Sequence, residues 1–79
     1  MSVFQKFQRL LCEHLGLRLE EVKDDVSIVN DLGADSLDIL EITMACEIEF
    51  DILIDDEEIY KLNTVSDLVN FISKKIENK

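Results

Sequence analysis

The sequence predicts an all-α domain: a small four-helix bundle of three longer helices and one short helix, with a long loop between the first and second. Three observations carry this. Apolar residues recur at spacings of three and four in three separate segments, the pattern of helices that bury one face. Residues suited to starting or stopping helices sit at the ends of those segments. The length of 79 residues makes one domain, residues 1–79, and no more.

The first helix is Val3–Leu15. Phe4, Phe7, Leu11 and Leu15 form one apolar face, widened by Val3 and Leu10. Ser2 suits its N-cap, and Gly16 stands where a helix-ending glycine belongs. Leu17–Ala34 is the long connection. Glu20-Glu21-Val22 makes at most one short turn, and Val26, Ile28, Val29 and Leu32 are expected to pin the loop to the core. A loop this long in a compact domain is usually functional or else hides an element of its own.

Gly33 lets the chain turn before the second helix, Ser36–Phe50, and Asp35 and Ser36 both suit its N-cap. Ile39, Ile42, Cys46 and Phe50 form its core stripe. Leu37, Glu41, Met44 and Ile48 fall on nearly the opposite side. Leu40 and Glu47 border that second stripe, and Asp38 lies between the two faces. An apolar stripe outside the core stripe either meets a second neighbour or presents a binding surface. A short third helix follows, with Asp55 as cap and Asp56, Glu57 and Glu58 in its first turn, where the helix dipole favours acids. Ile59 and Leu62 face inward. Thr64 caps the fourth helix, with Asp67 three residues on as a capping box. Val65, Leu68, Val69, Ile72 and Ile76 are its apolar face, with Phe71 at the edge.

Net charge is −10, and its placement matters more than its size. From Glu20 to Glu58 there are 15 acids and one base, Lys23, which gives −14; the flanks hold seven bases and three acids, which gives +4. Such a middle section repels nucleic acid and anionic membranes and attracts proteins with basic patches. No apolar run approaches the roughly 20 residues that span a bilayer. The start of the chain lacks the basic-then-apolar pattern of a signal peptide, so a cytoplasmic location is the expectation. Cys12 and Cys46 each fall within a helical apolar pattern and read as small buried thiols, without the spacing of a metal site.

The chemistry concentrates at Ser36. A serine at a helix start is most often an N-cap, yet the same place suits a covalently attached phosphate, because free amides and the dipole favour negative charge. GADSLD, Glu41 and EIEFD from Glu47 to Asp51 resemble the modification-site region of acyl carrier proteins. The likeness extends over nearly the whole chain: its length, its acidity, the long loop, and DDEE followed by a helix opened by Asn63-Thr64-Val65. It implies a carrier rather than an enzyme. It implies that a phosphopantetheinyl transferase joins 4'-phosphopantetheine from coenzyme A to Ser36, and that the arm carries acyl groups to fatty acid synthesis enzymes and acyltransferases. The second stripe of helix two becomes the recognition face: Leu37, Leu40, Glu41, Met44, Glu47 and Ile48. Asp35 and Asp38 help to dock the transferase's cations. The acyl chain is expected to enter the core beside Ile39, Cys46, Ile59 and Leu62. The chain departs from the family's usual pattern at Asp55, often proline, at Ile48, often an acid, and at Cys46, often a larger aliphatic.

Other classes fit less well. An EF-hand loop needs oxygen ligands at fixed positions, and placing Gly33 at its sixth position puts Ile28, Leu32 and Ile39 where ligands belong. No specific metal site follows, although clustered acids bind divalent ions weakly. A serine hydrolase lacks a base, since His14 on the first helix is the only imidazole. A specialised carrier for polyketide or lipid A synthesis, or an unmodified helical adaptor, remains a distinct alternative. The expected state is a monomer.

Overall fold

The computed structural model describes residues 1–79 and is all-helical, with α1 Val3–Leu15, α2 Ser36–Phe50, α3 Asp56–Ile59 and α4 Val65–Glu77. These are the predicted elements, and both ends of α1 and α2 fall where the sequence puts them. Local chemistry explains the boundaries. The Ser2 hydroxyl accepts from the Gln5 amide at 3.1 Å while the Gln5 side chain accepts from the Ser2 amide at 3.0 Å, a reciprocal cap. Gly16 ends α1 with φ of 68°, a left-handed conformation that glycine adopts without penalty. Thr64 and Asp67 exchange the same two bonds at the start of α4.

α1 packs against both α2 and α4. Phe7, Leu11, Val65 and Ile72 are completely buried at the centre, joined by Ile42, Cys46, Phe50 and Leu68. Each comes from the apolar stripe assigned to its helix. Burying such a side chain contributes roughly 1.5–3 kcal/mol, so these few residues hold the three long helices together.

The long loop is bound to the bundle at three places. The Gln8 side-chain amide donates to the carbonyls of Leu19 and Val22, at 3.0 and 3.1 Å. Ile28 N donates to Asn63 O at 3.0 Å, and Val65 N donates to Val26 O at 3.1 Å, so the loop runs antiparallel to the entry of α4. The Ser27 hydroxyl donates to Asn63 Oδ1 at 2.7 Å. The short turn is a 3-10 turn at Leu19–Glu21, one residue earlier than the sequence reading, because the Glu21 carboxylate reaches back to the Arg18 amide at 2.8 Å.

Two loop expectations are corrected. Val29 is exposed rather than an anchor: Ser27 to Gly33 coil into successive turns, with the Asp31 and Leu32 amides both donating to Ser27 O, which turns Ile28 inward and its neighbour outward. Val22, read only as part of a turn, is buried instead, and so is Ala34. Of the two cysteines, Cys46 is buried but Cys12 is only half-buried, at the margin of the α1 face.

Candidate functional site

The turns of Ser27–Gly33 deliver the chain to α2 in a fixed register. Gly33 takes φ of 74°, and Ala34 N donates to Ile28 O at 3.1 Å, which anchors the buried Ala34 just before the helix. Asp35 is the N-cap. Its Oδ1 accepts from the Asp38 amide at 2.8 Å, and Asp38 Oδ2 accepts from the Asp35 amide at 3.0 Å. Ser36 therefore occupies the first helical position, not the cap. Its hydroxyl is exposed and makes no hydrogen bond within the protein, so the ordinary job of a serine at a helix start is already done by its neighbour.

The cap also bears on charge. At a helix start the first amides have no intrahelical partner. Asp35 and Asp38 satisfy two of them and leave those of Ser36 and Leu37 pointing outward beside the hydroxyl. A phosphate on Ser36 meets that positive end of the dipole. The two aspartates, assigned from sequence to docking, are first of all the residues that build this helix end.

Along α2 the second stripe is open, as its spacing requires. Leu37, Leu40, Met44 and Ile48 are all exposed, Ile48 to 83%, and Glu41 stands among them. Glu47 is different. It is half-buried, and its Oε2 accepts from the Ile54 amide at 3.0 Å, tying the α2–α3 loop to the helix. Glu47, assigned from sequence to partner recognition, thus also makes an internal bond that a helical wheel cannot reveal. Tyr60, which carried no assignment, extends this exposed surface beside Leu37 and Leu40, and Leu53 is exposed on the side of Phe71 and Lys75.

From Ser36 a surface groove of about 400 Å³ runs between α2 and α3, bordered by Leu37, Leu40, Asp56 and Tyr60 and floored by Ile39, Thr43 and Ile59. Ile39, Thr43 and Ile59 also line a second, smaller pocket of about 30 Å³, whose wall is completed by Ile28, Ile42, Leu62 and Leu68 and, at its exposed rim, by Val29 and Asn63. Three of the four residues expected around a buried chain, Ile39, Ile59 and Leu62, meet there. Cys46 does not: it lies in the packed core, and burial pushes its thiol up to about 12. At that value the thiol stays protonated and unreactive. Cys12 is also raised, by burial first and then by Glu21. Thr43 was missed by the sequence reading. Its position four residues after Ile39 put it beside the core stripe, but a polar residue drew no attention there.

α3 is too short to be stable by itself. It is held by the buried side chain of Ile59 and by Glu58, whose Oε2 accepts from the Asp55 amide at 3.2 Å and pairs with Lys75 Nζ at 3.2 Å. The backbone amide of Asp55, then Lys75, lower the pKa of Glu58. Asp55 stands at the N-cap of α3 as expected, and its amide is bonded by Glu58 reaching back.

No three His, Cys, Asp or Glu side chains converge in a way that could hold a metal ion. No helix is long and apolar enough to cross a membrane.

Known proteins resemble this arrangement. The family described as phosphopantetheine attachment site matches residues 5–72. The chain is 47% identical over 75 residues to an acyl carrier protein of Clostridium acetobutylicum, covering 95% of this chain and 97% of that one. It is 45% identical over 75 residues to one from Nitratidesulfovibrio vulgaris, covering 95% and 99%. A crystal structure of an acyl carrier protein from Thermotoga maritima superimposes with a TM-score of 0.80 at 38% identity, over 94% of this chain and 86% of that one. With the free serine at the head of α2 and the match running across it, the chain belongs to the acyl carrier protein family, a family of carriers and not of catalysts.

Proposed function

We propose that Ser36 is the attachment point of 4'-phosphopantetheine and that the protein presents acyl groups to enzymes of fatty acid synthesis. The observation that carries this is the unbonded, exposed Ser36 hydroxyl at the end of a groove that shares Ile39, Thr43 and Ile59 with a small apolar pocket behind it. The residues present suit the group: a nucleophilic oxygen with access to solvent, open amides at a helix start, and an apolar lining between α2 and α3. When bound, the arm supplies a terminal thiol that carries acyl groups as thioesters.

This chain's own residues do the rest. Ser36 Oγ holds the phosphodiester, and the Asp35–Asp38 cap keeps that oxygen in one place. Leu37, Leu40, Glu41, Met44 and Ile48 meet partners that offer a basic rim around an apolar groove; Met44 adapts to several of them. Those partners are a phosphopantetheinyl transferase, synthase-type enzymes and acyltransferases. The −14 charge of the middle section speeds their encounter and keeps copies of the chain apart, in line with a monomer in the cytoplasm. Ile39, Ile59 and Leu62 shield the acyl chain, which enters by displacing α3 and widening the cavity.

The test is intact mass after incubation with coenzyme A and a phosphopantetheinyl transferase. The wild type gains one phosphopantetheine and Ser36→Ala gains none. An unmodified wild type, or a modified Ser36→Ala, overturns the assignment.

A further inference from the structure

The protein buries two polar side chains, Ser27 and Thr43. They are used very differently. The Ser27 hydroxyl is satisfied on both sides: it donates to Asn63 Oδ1 at 2.7 Å and accepts from the Asn30 amide at 3.1 Å. Its role in pinning the loop is complete. The Thr43 hydroxyl, on a residue only 4% exposed, donates to Ile39 O at 2.7 Å and accepts nothing. That one bond satisfies the hydroxyl, but its acceptor lone pairs stay free in an apolar setting, and valine would fill the same volume. A hydroxyl bonded to the carbonyl four residues back also slightly weakens a helix.

The place of Thr43 supplies the reason. It lines both the surface groove that starts at Ser36 and the cavity beyond it, so it stands at the throat between them. Asn63, the other polar residue on the cavity wall, already has its side-chain carbonyl occupied by Ser27. We propose that Thr43 Oγ accepts a hydrogen bond from a hydroxyl on the acyl chain near its thioester end, so that this site favours 3-hydroxyacyl cargo. The inference rests on the carrier reading above. Direction matters: the Thr43 proton is committed to Ile39 O, which leaves an acceptor. A cargo hydroxyl can donate to it; a cargo ketone cannot, and a plain alkyl chain gains nothing. The thioester end is the relevant one because a chain threading inward leaves its first carbons at the throat and its tail deeper among Ile42, Leu62 and Leu68.

The experiment loads the phosphopantetheine-bearing protein with decanoyl or 3-hydroxydecanoyl groups and follows thioester cleavage by hydroxylamine. Rates are divided by those of the same thioesters on free pantetheine, which removes the hydroxyl's intrinsic effect. Intact mass first shows that both cargoes sit on Ser36. Thr43→Val is expected to lower protection of the hydroxyacyl group about three- to tenfold, the size of one neutral hydrogen bond, and to leave decanoyl protection equal or better. Thr43→Ser, which keeps the oxygen, retains the preference and guards against a folding artefact. Equal losses for both cargoes in Thr43→Val, or no loss for either, overturn the cargo preference while the carrier assignment stands. Failure of the wild type to load on Ser36 overturns both.

Discussion

Glu47 separates an internal role from a docking role, and the two predict different measurements. Its Oε2 receives the Ile54 amide at 3.0 Å in a part-buried setting, seven residues along the chain. Glu47→Ala removes the acceptor and strands that amide beside the buried Ile54 side chain. A hydrogen bond to a charged group contributes about 1.5–3 kcal/mol, and an unsatisfied buried donor costs a similar amount. In a domain of this size each kcal/mol moves the melting temperature by about 4–8 °C, so Glu47→Ala should melt roughly 10 °C or more below the wild type. Glu47→Gln keeps an acceptor in the same place, restores a neutral bond of about 1 kcal/mol, and should recover most of the loss. Glu41, exposed and free of hydrogen bonds, is the control: Glu41→Gln removes the same charge and leaves the melting temperature unchanged or slightly higher, since it relieves repulsion in a chain of net charge −10. Circular dichroism melts of the four proteins decide it. If Glu47→Ala melts with the wild type, or Glu47→Gln falls as far as Glu47→Ala, the tie to Ile54 is not what holds the loop.

Other outcomes follow from the same geometry. Replacing Met44 by Glu should slow phosphopantetheinyl transfer or acyl loading at least several-fold without lowering the melting temperature, because that side chain is not buried; a change in melting alone would count against the docking face. Cys46→Phe overfills a packed position and should cost about 1–3 kcal/mol in urea unfolding, with thioester protection altered no more than by other variants of equal stability. At neutral pH a maleimide should label Cys12 well before Cys46, whose thiol is pushed up to about 12; equal rates would show that the core opens readily. Backbone amides of Thr64 and Asn63 lower the pKa of Asp67 from its ordinary 3.8. A carboxylate with a depressed folded-state pKa stabilises the fold above its unfolded pKa and loses that contribution as pH falls through the folded value. Asp67→Asn should therefore be less stable than the wild type at pH 7, and the gap should shrink once the pH passes below the ordinary aspartate range.

The long helices were legible because their signal is periodic and local. The 3-4-4 spacing of Ile39, Ile42, Cys46 and Phe50 picks out the inward face of α2, and an exposed Ile48 follows from the same wheel. Ser36 was legible through its motif and Gly33. Contacts made across the loops were not. Glu47 reads as one more acid on an acidic face, and only the path of the chain after Phe50 brings the Ile54 amide to it. Val29 and Val22 were misassigned because a coiled loop has no period to read. Cys46 was linked to the cavity because a small side chain leaves room, but the room lies on the Thr43 side of the helix, towards α3.

The two sides of α2 explain how such a small domain can be both stable and open. Towards α1 and α4 it meets completely buried Phe7, Leu11 and Ile72, and that side carries the fold. Towards α3 it meets a four-residue helix held by Ile59, by the Glu58–Lys75 pair and by a loop tethered through Glu47. The Glu58–Lys75 pair is partly exposed, and such pairs are screened by solvent and contribute little. Segments with few buried apolar contacts open at a small fraction of the global unfolding free energy. The cavity of about 30 Å³ therefore lies under the part of the molecule that yields most easily. On the function proposed above, an acyl chain lifts α3 and offsets the cost with its own burial, at roughly 0.8 kcal/mol per methylene, while the core beneath α1 stays intact. Placing the pocket on the Cys46 side would have made each loading event an assault on the packing that keeps 79 residues folded.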